Sequence, residues 1–540
     1  YEVGAKKVRR LMREDNLLAV RLIQAIVGSL SCVLVGSAAA RLLPSTSLPS
    51  TTLGASRAGP STSLRPGLIA GLAMAVYAPA IFFDSLIQKS VLDVFFVALA
   101  LALLSAIVTR TATRPVPWAQ WAGLGLTMGA LSLTRENALV LVAVIALYAL
   151  LDFRAALIER ARRLAVFTLA VAVVLLPVAA RNYAVGGGFY LTTSQFGPNF
   201  YIGNNPRADG TYASLRFGRG APEYERQDAT ELAEHAVGHT LTPAEVSSYW
   251  TGQALTFITT QPGAWLALAG RKVLLLWNAA EMLDTESQDT YAELSWPLRL
   301  TGWFTHFGLL VPLALFGAIV LWPERRRLWV FYALTLGYAA SVVLFYVFAR
   351  YRFPLVPMLM LFATAGLTGA RDWIRQADRR RRGLVAAAVG VAVVFTNWPV
   401  LSRSLMRAIT ETNLATALQS EQRLDDAIAH YRRATEIQPN YAPAYNNLGT
   451  ALRAKGQVDE AIATYQQALK LAADYPDAHY NLALLCEAKG LRRTHEPQGL
   501  QRREPEDPCR IELAARHCLE RTSVDLAFVR RVIQAKAQQR

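Results

Sequence analysis

Two arginines stand two positions apart in FARYRFPLVPMLML, residues 348–361, just before a proline and an apolar run. The guanidinium groups of Arg350 and Arg352 stay charged, and charge beside lipid is costly unless it is solvated, paired or used. Arginine suits phosphate because its planar fork donates two parallel hydrogen bonds. The spacing predicts either an interfacial anchor or a binding site for a lipid-linked phosphate.

Other apolar runs also end in charged residues. FFDSLIQKS (82–90) contains Asp84 and Lys89, and LTREN (133–137) contains Arg135 and Glu136. Each of them alone could be an anchor that reaches water. We expect them to converge on one face with the arginines, where a carboxylate such as Asp84 would pair with arginine, bind a divalent metal or hold an acceptor hydroxyl.

The segment 186–212, GGGFYLTTSQFGPNFYIGNNPRADGTY, combines aromatic rings with amides. Such side chains recognise sugars by stacking and paired hydrogen bonds, and a Gly-rich surface loop is the alternative. The predicted sugar or acceptor residues are Asn199, Tyr201, Asn204 and Asn205. The amphipathic segment 263–284 is predicted to lie along a membrane surface and to bring Glu281 to the same face.

The composition indicates a membrane protein. The 540 residues are 53% hydrophobic, with a mean hydropathy of +0.23. Apolar runs approach the length that crosses a bilayer as a helix. They are 18–43, 67–83, 90–108, 118–134, 137–151, 164–181, 303–322, 328–348, 353–369 and 383–400. Much of the net charge of +16 lies between them, which favours topology signals over nucleic-acid binding.

The arginines also predict an orientation. One set of short loops holds 18 arginines, whereas the opposite set holds Lys89, Arg135, Arg350 and Arg352. The arginine-rich set is expected in the cytoplasm. Residues 182–302 and 402–540 are then extracytoplasmic, and the protein is placed in the bacterial inner membrane.

Residues 408–490 are more polar and repeat. NYAPAYNNLGTAL (440–452) recurs 34 residues later as DYPDAHYNLALLC (474–486). This period is typical of tetratricopeptide repeats, helical pairs that bind protein partners. Small residues and aromatics fall at the packing positions, among them Ala427, Tyr431, Leu448, Gly449 and Tyr465.

The predicted fold class is all-α. We expect a multi-span membrane domain with a mixed extracytoplasmic loop region, followed by a small repeat domain. The boundaries are a truncated N-terminal segment 1–17, spans in 18–181, an outer region 182–302, spans in 303–401, repeats in 405–490 and an irregular tail 491–540. Residues 44–66 read as a flexible linker. No metal-binding, P-loop, Rossmann or nucleophile-elbow motif is present.

The motifs RLIQAIVGSL, FFDSLIQKSVLDVFF, LTREN, NFYIGNNPRADGTY and ARYRFPLVP resemble those of bacterial GT-C glycosyltransferases. The nearest group is family 39, the protein mannosyltransferase-like and aminoarabinose transferase-like enzymes, here followed by tetratricopeptide repeats. The resemblance implies a polyprenyl-phosphate sugar donor and inverting transfer of a hexosyl or pentosyl group outside the membrane. It assigns the donor phosphate to Arg350 and Arg352, with Lys89 assisting.

The family's catalytic acid lies in a first outer loop, and we expect this chain to lack that acid through N-terminal truncation. No catalytic residue is therefore assigned. Two other functions remain open at this point. One is a non-catalytic membrane-anchored repeat scaffold, and the other is a transporter of a lipid-linked sugar, for which Asp93 is a charge inside a span.

Overall fold

The computed structural model describes residues 2–43, 64–86, 88–110, 117–153, 155–186, 188–216, 222–282, 287–473, 475 and 477–485. Every regular element in these ranges is helical, which confirms the all-α prediction. The described residues form two compact units, one from residues 1–215 and 221–401 and the other mainly from residues beyond 401. The predicted tail 491–540 and all but the last three residues of the predicted linker lie outside the described residues.

The first unit contains eighteen described α-helices. They are α1 (Glu2–Leu42), α2 (Leu64–Ala75), α3 (Ala78–Ser85), α4 (Ser90–Val108), α5 (Trp118–Thr134), α6 (Leu139–Leu151), α7 (Leu157–Gly186), α8 (Phe196–Gly203), α9 (Pro222–Val237), α10 (Pro243–Thr260), α11 (Pro262–Trp277), α12 (Gln288–Leu294), α13 (Trp296–Phe304), α14 (Phe307–Val320), α15 (Arg325–Val343), α16 (Ala349–Arg352), α17 (Leu355–Gln376) and α18 (Arg379–Thr396).

These helices pack through apolar faces. α1 packs on α2 and α4, α5 on α7, and α14 on α17 and α18. α17 lies deepest, since its residues from Leu355 to Gly366 are all buried. A helix that is apolar on every side needs cover on every side, and here neighbouring helices provide it.

Within the ranges given above, four helical stretches are long and apolar enough to cross a membrane: Ala19–Leu42, Ser90–Val108, Leu157–Val185 and Trp296–Val320. Pro66–Ala75 and Ala78–Ser85 make a fifth if a pair bent by 53° is one span. All ten predicted apolar runs contain helix, but the remaining ones are shorter or carry arginine clusters at one end. Sequence hydropathy thus located the helices, and the number of them that cross a membrane stays a prediction.

One distant side chain hydrogen-bonds to the backbone on both sides of the bend between α2 and α3. The Thr305 hydroxyl donates to the Val76 carbonyl at 2.8 Å and accepts from the Ala78 amide at 3.0 Å. A break in a helix exposes backbone groups that need new partners, and Thr305 supplies two of them. Thr305 itself ends α13, so two helix breaks meet at this residue.

The second unit contains α19 (Arg403–Ser420), α20 (Leu424–Ile437), α21 (Ala442–Ala454), α22 (Val458–Leu471) and a further helical stretch over 477–485. The predicted packing residues Ala427, Tyr431, Leu448 and Tyr465 form one buried cluster. A Cβ on Gly449 would lie 2.8 Å from the Tyr465 ring, so the two helices of this pair approach only because position 449 is glycine. The repeat interpretation of the sequence is confirmed.

Candidate functional site

Arg352 is the last residue of α16, three positions before the buried helix α17 begins, and it is 1% exposed. Its Nη1 donates to the carbonyls of Leu276 and Asn278 at 3.2 and 2.5 Å, and its Nη2 donates to Ala280 at 2.8 Å. Nη2 also pairs with Glu281 Oε1 at 2.9 Å. The guanidinium therefore caps the carbonyl end of α11 and holds the loop that follows, so phosphate would have to displace this set of partners.

Arg135 is fixed in a second buried contact. Its Nε pairs with Asp93 Oδ2 at 2.5 Å, and Asp93 is fully buried in α4. Its Nη2 donates to the Arg350 carbonyl at 3.1 Å, and its guanidinium lies 4.6 Å from the centre of the Tyr351 ring. Arg135 thus positions the backbone of α16, which carries Arg350. The apolar context of Asp93 was the sequence signal for this pair.

Arg350 differs from Arg135 and Arg352 because its side chain is only partly buried. Its guanidinium lies against the rings of Phe348 and Tyr351, 5.6 and 5.2 Å from their centres. Burial raises the pKa of the Glu225 carboxyl on α9, and the charge of Arg350 opposes that rise. Arg350 is therefore a partly solvated cation held by two aromatic faces.

Lys89 adds a second cation to this region, and its side chain is exposed. Desolvation lowers the pKa of its amine, Arg135 and Arg350 lower it further, and Asp93 and Glu136 act in the opposite direction. These charges act on one another, so the structure brings Lys89, Arg135, Glu136 and Arg350 into one neighbourhood, as the sequence predicted.

A narrow cleft opens beside Arg350. Its lining includes Phe83, Gln88, Glu281, Gln288 and Arg350. The Oε1 atoms of Gln88 and Gln288 are buried and have no hydrogen-bond partner in the described part of the chain. The cleft is small, about 10 Å³, so it has room for about one water molecule. Its cation, carboxylate and two amide acceptors beside an apolar wall could contact hydroxyl groups and one anionic group only of a ligand that binds at its mouth. Neither glutamine was singled out from the sequence, because nothing local marks them.

The side chains predicted to bind a sugar make contacts within the protein. Asn199 Oδ1 accepts from the Tyr346 hydroxyl at 2.9 Å, and Tyr201 packs on Trp250. The Asn205 amide donates to the carbonyls of Tyr201 and Ile202. These side chains hold the loop in place, so their predicted role in sugar binding stays a prediction.

Asn204 is the buried centre of that loop. Its Oδ1 accepts from Trp265 Nε1 at 3.0 Å and from Lys272 Nζ at 3.1 Å. Its Nδ2 donates to the carbonyls of Phe200 and Leu344. Burial lowers the pKa of the Lys272 amine to about 8. Sequence reasoning missed Lys272, which reads as one basic residue on an amphipathic helix.

Asp84 lies apart from this cluster. It lines a separate cavity with residues of α1, α2 and α4, and it is not among the charges that act on Lys89. The predicted convergence therefore includes Lys89, Arg135, Glu136, Arg350 and Glu281 but not Asp84. Within the described residues, no group of three or more His, Cys, Asp or Glu side chains could hold a metal ion.

Comparison with protein families identifies the repeats. The TPR repeat family matches residues 417–452 and 449–490, which is the second unit and its continuation. No curated protein matches the chain. The repeats indicate protein–protein interaction.

Proposed function

We propose that the protein is a membrane glycosyltransferase that moves a sugar from a polyprenyl-phosphate donor to an extracytoplasmic acceptor. The observation that carries the proposal is the cleft in which Arg350 and Glu281 meet the buried acceptors of Gln88 and Gln288. Candidate membrane-spanning helices and the broken pair α2 and α3 stand next to it in the chain, which suits a donor with a lipid tail.

In this proposal Arg350 and Lys89 bind the donor phosphate. In a transfer, an acceptor hydroxyl oxygen bonds to the anomeric carbon and gives its proton to a base, while the bond from that carbon to the phosphate oxygen breaks and negative charge grows on that oxygen. Fixed cations at that position lower the barrier. Arg352 and Arg135 act as positioning residues, since both are bound to backbone carbonyls and carboxylates. No residue is assigned as the base that removes the proton from the acceptor.

The test compares Arg350→Ala with Arg271→Ala in purified protein reconstituted with a polyprenyl-phosphate sugar. Removing a charge-assisted hydrogen bond costs about 1.5–3 kcal/mol, so Arg350→Ala should lower donor affinity or kcat/KM roughly 10- to 100-fold. Arg271 is an exposed arginine 4.0 Å from Asp209, and its loss should change the same values less than about twofold.

Unchanged donor binding and transfer in Arg350→Ala, with transfer measurable in the wild type, would remove the assigned phosphate role. Arg352→Ala serves as the contrasting variant. It should lower the melting temperature, because five oxygens around Nη1 and Nη2 would lose their donor.

For the repeats we propose a protein partner or acceptor, bound by the first helix of each repeat. Asparagine occupies the same repeat position at 413, 447 and 481, 34 residues apart. Asn481 Nδ2 donates to Asn446 Oδ1, and Asn446 Nδ2 donates to Asn447 Oδ1, both at 3.2 Å. Linked amides of this kind match the donor and acceptor of a peptide group.

A photo-crosslinking amino acid tests this surface in the full chain. Placed at Tyr445 on α21, it should give a discrete protein adduct in cells, whereas the same residue at Gln466 on α22 should not. Equal adducts at both positions, or none at either, would contradict binding by the first helices.

The broken helices also favour a transporter of a lipid-linked sugar as a second candidate, since discontinuous helices line many transport sites. Proteoliposomes separate the two functions. Movement of labelled lipid-linked sugar between leaflets without product would support transport and oppose the transferase.

A further inference from the structure

A cavity of about 110 Å³ lies among α1, α2, α3 and α4. Its lining includes Gly28, Ser31 and Cys32 of α1, Met74 of α2, Asp84 of α3 and Val94 of α4. One water molecule takes about 30 Å³ in the liquid, so this volume holds a few waters or a small hydrated ion. We refer to this space as the Asp84 cavity.

The Asp84 carboxylate is seated directly on the backbone of α1. A Cβ at position 28 would lie 2.0 Å from Asp84 Oδ2, so only glycine leaves room for the carboxylate there. Among the described residues, no hydrogen bond or ion pair reaches this carboxylate. By contrast, Asp93 and Glu281 are each held by an arginine.

The polar groups around Asp84 are acceptors. The Ser31 hydroxyl donates to the Val27 carbonyl at 2.9 Å, and Ser29 donates to Ala25 at 2.8 Å. The hydroxyl hydrogens of both serines are donated to backbone carbonyls of α1. The lone pairs of the two hydroxyl oxygens can therefore accept from or coordinate a ligand. A carboxylate and hydroxyl oxygens in a largely apolar wall favour a cation.

We propose that the Asp84 cavity is a binding site for one small, singly charged cation, either an alkali ion or a primary ammonium group. The single carboxylate matches a single positive charge, and a cation there satisfies a carboxylate that the helices leave without a counter-charge. The site is separate from the Arg350 cleft and does not depend on the proposed sugar transfer.

Cys32 gives a direct test because its thiol lines the same cavity. The other three cysteines are replaced by serine, and Cys32 is modified with methanethiosulfonate reagents carrying an ethylammonium or an ethylsulfonate group. The cationic reagent should react about tenfold faster in the wild type, and Asp84→Asn should abolish this preference. Equal preference in wild type and Asp84→Asn would overturn the proposal.

Sodium, potassium and methylammonium chloride are then added at constant ionic strength, with N-methylglucamine as the bulky replacement cation. Protection of Cys32 by sodium or potassium identifies an alkali site, and protection by methylammonium alone identifies an ammonium site. No protection by any of the three would overturn the proposal.

Melting temperature provides a readout that does not require a reactive thiol. At ten times the dissociation constant, the bound cation should raise the Tm of the wild type by about 2 °C. Asp84→Asn and Gly28→Ala should both lose this shift, the second because its methyl group displaces the carboxylate. Gly252→Ala is the matched control, since nothing lies within 4 Å of a Cβ there, and it should keep the shift. A shift that persists in Asp84→Asn would place the cation elsewhere.

Discussion

At the scale of single residues, partners decide function more than residue type does. Arg350 and Arg352 look equivalent in the sequence, two positions apart before a proline. In the structure, Arg352 is buried against carbonyls and Glu281, whereas Arg350 lies partly exposed between two aromatic rings. Arg350 is the more exposed of the two side chains, and for this reason we place the phosphate there.

Lys272 offers a pH test of the loop anchored by Asn204. Burial lowers its folded pKa to about 8 from the ordinary lysine value of 10.5, so between these values the unfolded chain binds more protons. Stability from this residue therefore rises with pH across that window, by at most about 1.4 kcal/mol per unit, and is flat below it. Thermal unfolding from pH 7 to 10.5 should show a shallower rise for Lys272→Met than for the wild type.

Arg271→Gln is the control for that measurement, because the neighbouring side chain is exposed and loosely paired. Its pH profile should parallel that of the wild type. Parallel profiles for Lys272→Met and the wild type would show that Lys272 is not perturbed by its surroundings.

The sequence indicated which residues carry unusual chemistry but not what they contact. Lys89, Arg135, Arg350 and Arg352 were found from charges at the ends of apolar runs, a local signal, whereas Lys272 was not. Arg352 and Lys272 depend on carbonyls and amides brought in by distant segments, Leu276–Asn278 for Arg352 and Asn204 for Lys272. No pattern around either residue encodes those partners.

At the scale of helices, local patterns gave accurate limits wherever no distant partner intervened. α4 and α5 begin and end where the apolar runs 90–108 and 118–134 predicted. The predicted run 67–83 is instead two helices bent by 53°, and 303–322 becomes a helix that begins at Phe307. Thr305 contacts the first break and ends the helix before the second, 227 residues from Ala78, and no local periodicity reveals that contact. Pro79 in the first turn of α3 is a local signal for the first break.

Thr305→Val tests the contribution of this residue to the bend. Valine keeps the shape but loses the hydroxyl, which shares its hydrogen between the carbonyls of Val76 and Thr301 at 2.8 and 2.7 Å. The Ala78 amide would keep only its longer bond to the carbonyl of residue 305, at 3.4 Å. We expect a loss of about 1–3 kcal/mol in the free energy of unfolding, measured by thermal or denaturant unfolding.

Thr301→Val is the matched control for the bend. The Thr301 hydroxyl only bonds back to carbonyls of its own helix, at Pro297 and Leu298, so its loss should change stability by less than about 0.5 kcal/mol. Equal effects of the two substitutions would mean that the bend does not depend on Thr305.

At the scale of the whole molecule, the number of spans decides where the repeats face. Ten spans place residues 182–302 and the repeats on the same side of the membrane. With only the four helices that are long and apolar enough, or five with the bent pair, residues 182–302 and the repeats lie on opposite sides. In that arrangement a single crossing, at Trp296–Val320, separates the two regions. The distribution of arginine and lysine in the short loops, 18 against 4, favours the first arrangement.

Single cysteines decide between these arrangements. In a background without native cysteines, His239→Cys reports on the outer region, Ser420→Cys on the repeats and Glu324→Cys on an arginine-rich loop. A membrane-impermeant maleimide added to intact spheroplasts should label the first two and should label Glu324→Cys only after permeabilisation. Labelling at position 239 with protection at position 420 would instead support four or five spans. The repeats would then bind their partner in the cytoplasm, on the side of the membrane opposite to the proposed site of sugar transfer.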